Sequence, residues 1–290
     1  MKVLKQGAWI ILSLSLLIVV SCGGGGGGSV GYGEVSMDIT DAKPLLPEGT
    51  TNLWITFTEV MAHKSGGGWM SLPLPQSPYT IDLLYFSDGF TTELVPPVNL
   101  ESGKYTQIRI VVSEAEISID DGEKVTDYPI IVPSGNLKTD KNFTFDVVGG
   151  GALYITVDFD LSQSIVVIDD ESGTLSYKLK PVLHIVETFE AATIAGSIDN
   201  DSFVDSQNAI VTVSVNNPDS GEFEEYTKLE VSKSDTTPTE FSIYWLVPDN
   251  KYKVEIDFNP DLDGPEYEED IDAFDLESGE IFKLNGNAPI

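Results

Sequence analysis

The stretch Leu153-Tyr154-Ile155-Thr156-Val157-Asp158-Phe159-Asp160 decides the fold class, because aliphatic or Phe residues alternate along it with Tyr, Thr and Asp. Successive side chains of a β-strand point to opposite faces, so this alternation predicts a strand with one apolar face. The other face meets solvent or a second layer. Long helical periodicity is missing from the sequence, and only residues 83–86 suit a short helical turn.

The same alternation recurs throughout the chain, for example from Val35 and from Leu53 onward. Gly, Pro, Asn and Asp separate the candidate strands, a pattern typical of an antiparallel sandwich or barrel. Near residue 193 the pattern restarts, and about 100 residues with six or seven strands make one immunoglobulin-like sandwich. We therefore predict an all-β protein with two antiparallel β-sandwich domains, at residues 33–188 and 193–290.

The N-terminus has the features of an export signal. Lys2 and Lys5 precede an apolar run at residues 8–20, which is shorter than the roughly 20 residues that span a bilayer. We predict a signal peptide at residues 1–21, cleaved between Ser21 and Cys22. Two alternatives remain open, namely an ordinary secretory signal that leaves a free thiol and a retained membrane anchor.

The junction Val19-Val20-Ser21-Cys22 resembles the lipobox of bacterial lipoproteins, and glycines follow it at residues 23–28. The resemblance implies a diacylglycerol on the Cys22 sulfur and an acyl chain on its amino group. Two or more chains anchor a protein stably, since each buried CH₂ contributes about 0.8 kcal/mol. Residues 22–32 would then form a flexible Gly-rich tether to the membrane. In enterobacterial lipoproteins, an Asp directly after the lipidated cysteine favours the inner membrane. This chain has Gly23 at that position, which favours the outer membrane.

The chain is strongly acidic, with 47 Asp and Glu residues against 16 Lys and Arg and a formal net charge of −31. Such a polyanion is repelled by nucleic acid, so we exclude nucleic acid as a partner and favour cations or basic partners. The favoured alternative to such a partner is that the acidity only keeps an exported protein soluble. Because Cys22 is the only cysteine, we expect no intramolecular disulfide.

Residues 33–188 resemble a bacterial family known as domain of unknown function 4382, through eight short segments in a characteristic order. The segments are Gly33, Thr40-Asp41-Ala42, Trp69, Asp82-Leu83-Leu84, Gly103-Lys104-Tyr105-Thr106-Gln107-Ile108-Arg109, Pro133-Ser134-Gly135, Asp158-Phe159-Asp160 and Lys180-Pro181-Val182-Leu183. The resemblance implies a β-rich domain behind a lipobox and no catalytic residue.

The second predicted domain is similar to carboxypeptidase-regulatory-like, transthyretin-like sandwiches, which are usually spacers or binding units. The matching segments are Ile194-Ala195-Gly196-Ser197-Ile198, Ala209-Ile210-Val211-Thr212-Val213, Glu240-Phe241-Ser242-Ile243, Leu246 and Tyr252-Lys253-Val254. Glu240 and Lys251 stand where those modules usually have Gly.

Catalytic constellations are not found in the sequence. His63 and His184 are the two histidines, no Gly-x-Ser-x-Gly motif occurs, and lipidation uses the one cysteine. We therefore predict no catalytic residue and a protein that is not an enzyme. An atypical enzyme is the remaining alternative.

An acidic stretch near the C-terminus has the spacing of a calcium loop. Asn259, Asp261 and Asp263 occupy loop positions one, three and five, Gly264 position six, and Asp270 position twelve. We expect no cofactor, and calcium is the one candidate that these oxygen ligands suggest. The alternative is a solvated acidic hairpin loop without a metal.

Aromatic surfaces are the remaining candidates for ligand binding. Among Trp54, Trp69 and Trp245, Trp69 follows three glycines and is the best candidate for an exposed sugar-stacking face, although core or half-buried packing is favoured. The sequence thus predicts a lipid-anchored, non-enzymatic cell-envelope protein that acts in binding or as a structural surface component, with an unknown envelope, glycan or protein partner. The alternative is a glycan- or calcium-dependent adhesion module.

Overall fold

The alternating stretches fold into β-strands in the computed structural model of the chain, which describes residues 31–41, 45–133, 136–138, 143–169, 175–203, 206–236, 238–258, 260 and 268–284. Within these residues the protein is nearly all β, as predicted. No helix in the described ranges has the length and hydrophobicity needed to cross a bilayer.

The described residues before 188 contain thirteen strands. They are β1 (Tyr32–Thr40), β2 (Thr50–Lys64), β3 (Trp69–Leu72), β4 (Tyr79–Asp82), β5 (Thr92–Glu101), β6 (Gly103–Asp120), β7 (Val125–Ile131), β8 (Asn136–Lys138), β9 (Phe145–Val147), β10 (Ala152–Phe159), β11 (Ile165–Asp169), β12 (Leu175–Leu179) and β13 (Leu183–Glu187). A 3-10 helix at Leu83–Phe86 confirms the predicted helical turn, and a one-turn α-helix, α1, spans Leu161–Ser164.

These strands form two sheets. One has the order β13-β10-β1-β5, in which β1 and β10 are parallel. The other has the order β11-β12-β7-β6-β2-β3, with β4 added beside β2 and with β8 and β9 beside β6. The inward-facing residues of both sheets pack in one hydrophobic cluster, which we call the first core.

In the part of the chain after residue 191 that the structure describes, there are seven strands. They are β14 (Ala192–Ile198), β15 (Asn208–Asn216), β16 (Phe223–Ser232), β17 (Thr239–Leu246), β18 (Lys251–Asp257), β19 (Glu268–Asp275) and β20 (Ile281–Lys283). They form a sheet β17-β14-β20 and a sheet β16-β15-β18-β19, whose apolar faces enclose the second core. Because both cores lie in one compact unit, the division into domains at 33–188 and 193–290 stays a prediction.

The strand β10 buries both of its faces from Ile155 to Phe159, whereas Tyr154 before them is exposed. Ile155, Val157 and Phe159 lie in the first core, as their alternation predicts. Thr156 and Asp158 on the opposite face are buried as well. This side of β10 therefore meets a second layer rather than solvent, and polar groups buried there need hydrogen-bond or charge partners.

Candidate functional site

Trp54 lies on the outward face of β2, which in the larger sheet lies between β6 and the edge strands β3 and β4. Its neighbours Leu53 and Ile55 are completely buried in the first core, so the alternation of the strand turns the indole outward. Trp54 pairs in register with Glu116 of β6 on one side and with Asp82 of β4 on the other. The side chain is 39% exposed, which is unusual for so large an aromatic residue.

Asp82 holds the neighbouring strand β4 in place. Its Oδ1 accepts hydrogen bonds from the backbone N–H of Leu53 at 2.9 Å and of Leu84 at 3.2 Å. Its Oδ2 accepts one from the Asn52 side chain at 2.6 Å. The carboxylate thus caps the 3-10 helix and fixes the edge of the surface on which Trp54 lies.

A groove of about 580 Å³ runs over this surface, and we call it the Trp54 groove. A β-bulge at Ser113 shifts the register between β2 and β6, and bulges bend and twist the strand that contains them. Ser113 itself lines the groove. The lining residues on which the argument rests are Trp54, Thr56, Thr80, Glu114, Glu116 and Pro129.

The Trp54 groove combines an aromatic face with acidic groups. Glu114 and Glu116 are both exposed, and none of the residues that line the groove is basic. Thr56 and Thr80 share a hydrogen bond of 2.9 Å between their hydroxyl groups on the floor. The volume of the Trp54 groove falls within the range of about 300–1,000 Å³ that is typical of small-ligand sites. The groove can therefore stack a ligand on the indole and bind positive charge or hydrogen-bond donors through the carboxylates.

Trp69, the sequence's best candidate for an exposed stacking face, is covered by other side chains. The guanidinium carbon of Arg109, the only arginine of the chain, lies 4.1 Å from the centroid of the Trp69 ring. The His63 ring lies 5.1 Å away and is tilted by 59°. This half-buried packing agrees with the favoured alternative, and it leaves Trp54 as the open indole. The only sequence signal for Trp54 is its place on the outward face between Leu53 and Ile55.

A buried polar junction lies between the two cores. The carboxylate of Asp160 accepts hydrogen bonds from the Ser162 hydroxyl and from the backbone N–H of Gln163, and so caps α1. Burial raises the pKa of Asp160, but hydrogen bonds from His184 and Ser162 outweigh burial and hold its pKa below the ordinary value. The Gln163 amide and the His184 ring both donate to the backbone carbonyl of Tyr226 on β16.

Asp41 is the second buried acid of this junction. Its Oδ1 accepts the backbone N–H of Leu161 at 3.0 Å. Burial raises the pKa of Asp41 well above its ordinary value, and the nearby charges of Asp158 and Asp160 raise it further. The junction therefore contains two carboxyl groups whose pKa values are shifted in opposite directions. Sequence reasoning missed it because the pairing of these acids depends on contacts between distant parts of the chain.

The site residues predicted from the sequence lie mostly outside the described residues. This holds for Ser21 and Cys22 and for Asn259, Asp261 and Asp263. Asp270 lies on β19, where its carboxylate forms an ion pair with Lys253 at 2.8 Å. Within the described ranges, no group of three or more His, Cys, Asp or Glu residues is arranged to hold a metal ion. The calcium site and the lipidation site both stay predictions.

Comparison with solved structures finds only low similarity. The chain is 12% identical to a leucine-rich repeat protein from Bacteroides thetaiotaomicron, with a TM-score of 0.22. The matched region covers 90% of the present chain but only 26% of that protein. For a predicted cell adhesion protein from Parabacteroides distasonis the values are 10% identity, 78% of each chain and a TM-score of 0.21. The fimbrial anchor protein Mfa2 from Porphyromonas gingivalis is 9% identical, with a TM-score of 0.19. That match covers 84% of the present chain and 83% of Mfa2. TM-scores this low carry no argument about the present chain.

Comparison with protein families gives a clear result for the first part of the chain. No curated protein matches the chain. A family model described as "Domain of unknown function (DUF4382)" matches residues 32–181, which is more than half of the 290 residues. The match confirms the resemblance stated for residues 33–188, whereas those of the lipobox and of the second domain stay predictions. The chain belongs to the family of proteins that contain this domain of unknown function, DUF4382.

Proposed function

We propose that the protein is a lipid-anchored, non-enzymatic component of the bacterial cell envelope that binds a ligand through the Trp54 groove. The observation that carries the proposal is the exposed indole of Trp54 beside the exposed carboxylates of Glu114 and Glu116. An indole left open in a groove of this size offers apolar area that a ligand can bury.

The chemistry of the groove favours a basic ligand. A Lys side chain can place its ammonium group over the indole face and form charge-assisted hydrogen bonds with the two carboxylates. The net charge of −31 adds long-range attraction for a cation and speeds its encounter with the protein. A lysine-rich peptide segment of an envelope protein is therefore the ligand class that we favour.

A neutral glycan is the second candidate. The exposed indole face and the hydroxyl groups of Thr56 and Thr80 also suit a sugar ring with its hydroxyl groups. In this version the protein is an adhesion module. The two candidates differ in their need for charge, because a neutral sugar binds by stacking and hydrogen bonds alone.

Charge-neutral variants separate the two ligand classes. The double variant Glu114→Gln, Glu116→Gln keeps the shape of the groove and removes both negative charges. Titration calorimetry with an oligolysine peptide should show at least a tenfold loss of affinity in this variant, with a strong salt dependence in the wild type. A neutral glycan bound equally well by both proteins, with no oligolysine binding, would replace the basic ligand by the glycan.

The lipid anchor has a separate test at Cys22. In cells, the wild-type chain should fractionate with membranes, and its intact mass should exceed that of the cleaved polypeptide by the mass of the acyl chains. Cys22→Ala should release soluble protein or accumulate the uncleaved precursor. Wild-type fractionation of Cys22→Ala would contradict the anchor while leaving the groove untouched.

The non-enzymatic part of the proposal is tested by turnover. The purified chain should convert no substrate in a broad hydrolase screen. Turnover that survives repurification and follows the protein through a sizing column would make the atypical enzyme the better reading.

A further inference from the structure

A small cavity of about 20 Å³ lies between elements of the two cores. Asp41, which follows β1, lines it from the side of the first core. Thr227 of β16 and Trp245 of β17 line it from the side of the second core. Each core therefore contributes polar side chains to the same small cavity, whose outer rim includes the exposed residues Asp88 and Tyr244.

Three of these lining residues have a buried side-chain atom that lacks a hydrogen-bond partner among the described residues. The atoms are Oδ2 of Asp41, Oγ1 of Thr227 and Nε1 of Trp245. Five such atoms occur in the described part of the chain, so three of the five belong to this one cavity. Buried polar atoms are nearly always hydrogen-bonded in native proteins, and this concentration indicates a missing common partner.

The backbone brings Trp245 to the cavity at a conformational cost. Where β14 pairs with β17, the two residues Tyr244 and Trp245 lie opposite the single residue Thr193. This two-to-one pairing is a β-bulge on β17. Trp245 has a φ of 62°, in the left-handed region that bulky residues rarely adopt. Such strain persists only where the surroundings hold the residue in place, and a bulge re-aims the side chain that it carries.

We propose that the cavity is a binding site for one internal water molecule, which joins the two cores through Asp41, Thr227 and Trp245. A volume of about 20 Å³ accommodates a single water, which needs roughly 10–15 Å³. The indole N–H can only donate a hydrogen bond, so the partner must accept one, which excludes a bare cation. Asp88 lines the same cavity, and its carboxylate repels an anion.

The ionisation state of Asp41 fits this network. Its Oδ1 is occupied by the N–H of Leu161, and burial beside Asp158 and Asp160 raises its pKa. The one cationic residue that lines the cavity is Lys228, whose ammonium group pairs with Glu225 at 2.7 Å. These effects favour the protonated form of Asp41, whose O–H can donate to the water, and the water can donate in turn to Thr227 Oγ1.

A high-resolution crystal structure of the full chain tests the site directly. Density for one water should lie within hydrogen-bond distance of Asp41 Oδ2, Thr227 Oγ1 and Trp245 Nε1. A dry cavity would overturn the proposal, and so would direct hydrogen bonds that satisfy the three atoms without a water.

A double-mutant cycle tests the shared water in solution. Thr227→Val and Trp245→Phe each remove one partner, and each should lower the melting temperature by roughly 2–4 °C. Because both act on the same water, the double variant should lose little more than one single variant. Thr239→Val is the matched control, since the Thr239 hydroxyl bonds directly to Asn200, and its effect should add to that of Trp245→Phe. Additive losses for Thr227→Val and Trp245→Phe would overturn the proposal, whatever ligand the Trp54 groove binds.

Discussion

The imidazole of His184 lies on the phenol ring of Tyr226, with the ring centroids 3.8 Å apart and the planes 23° apart. Its Nε2 also donates to the backbone carbonyl of Tyr226 at 3.1 Å and lies 3.6 Å from Oδ2 of Asp160. His184 belongs to β13 and Tyr226 to β16, so this pair joins the sheet system of the first core to that of the second. One side chain thus supplies stacking and a hydrogen bond at the junction and lies beside the buried carboxylate of Asp160.

We expect His184→Ala to destabilise the whole described fold. The change removes the ring stack and one of the two hydrogen bonds to the Tyr226 carbonyl, and it leaves the buried Asp160 without its imidazole partner. The free energy of unfolding should fall by about 1–3 kcal/mol, measured by urea denaturation. His63→Ala is the control, because His63 lies away from the junction and bonds to Thr106 on the sheet surface. Equal losses in the two variants would contradict a special role for His184.

Asp41→Asn should make the protein more stable at neutral and alkaline pH. The folded-state pKa of Asp41 is raised above its unfolded value, so its contribution is complete at low pH and is lost as pH rises through the folded-state pKa. Asn cannot ionise and keeps an oxygen for the N–H of Leu161. Unfolding curves should be recorded between about pH 4 and pH 9. The free energy of unfolding of the variant, relative to that of the wild type, should increase as pH rises. A difference that does not change with pH would contradict the burial of a protonated Asp41.

Asp160→Asn should show the opposite pH dependence. The pKa of Asp160 is lowered, because the hydrogen bonds from His184 and Ser162 outweigh the effect of burial. Its contribution is therefore present above the unfolded-state pKa and is lost as pH falls through the folded-state pKa. The variant should be less stable than the wild type near neutral pH, and the two unfolding curves should converge in acid. If the two unfolding curves converged in alkali instead, the directions of the pKa shifts of Asp41 and Asp160 would have to be exchanged.

Calcium should raise the melting temperature of the full chain if residues 259–270 bind it. A ligand that binds only the folded state stabilises that state. Above Kd, the stabilisation grows with the logarithm of the ratio of ligand concentration to Kd. The double variant Asp261→Asn, Asp263→Asn should abolish the shift. Asp219→Asn, in the turn after β15, serves as the control. A melting temperature indifferent to millimolar calcium in the wild type would remove the proposed metal site.

The strands of the first core were predictable from local alternation, because the inward sets of β1 and β2 follow their sequence pattern directly. The burial of Thr156 and Asp158 was not, since it depends on a second layer that packs over β10. The parallel pairing of β1 with β10 joins segments more than 100 residues apart, and no local pattern encodes it.

The candidate site was harder to predict than the fold. Alternation places Trp54 on the outward face of β2, but whether neighbouring side chains cover an outward indole depends on the strands beside it. Arg109 of β6 covers Trp69, whereas the neighbours of Trp54 are Glu116 and Asp82. The bulge at Ser113, which lines the groove, follows from the pairing of β2 and β6 rather than from the sequence around it.

The most direct measurement of the central claim is a titration of the full chain with a labelled oligolysine peptide, comparing the wild type with Trp54→Ala. Phe223→Ala is the control, because Phe223 is 38% exposed on β16, almost the same fraction as Trp54. The account predicts about a tenfold or greater loss of affinity for Trp54→Ala and wild-type affinity for Phe223→Ala. Equal affinities for the wild type and Trp54→Ala would contradict the Trp54 groove as the binding site.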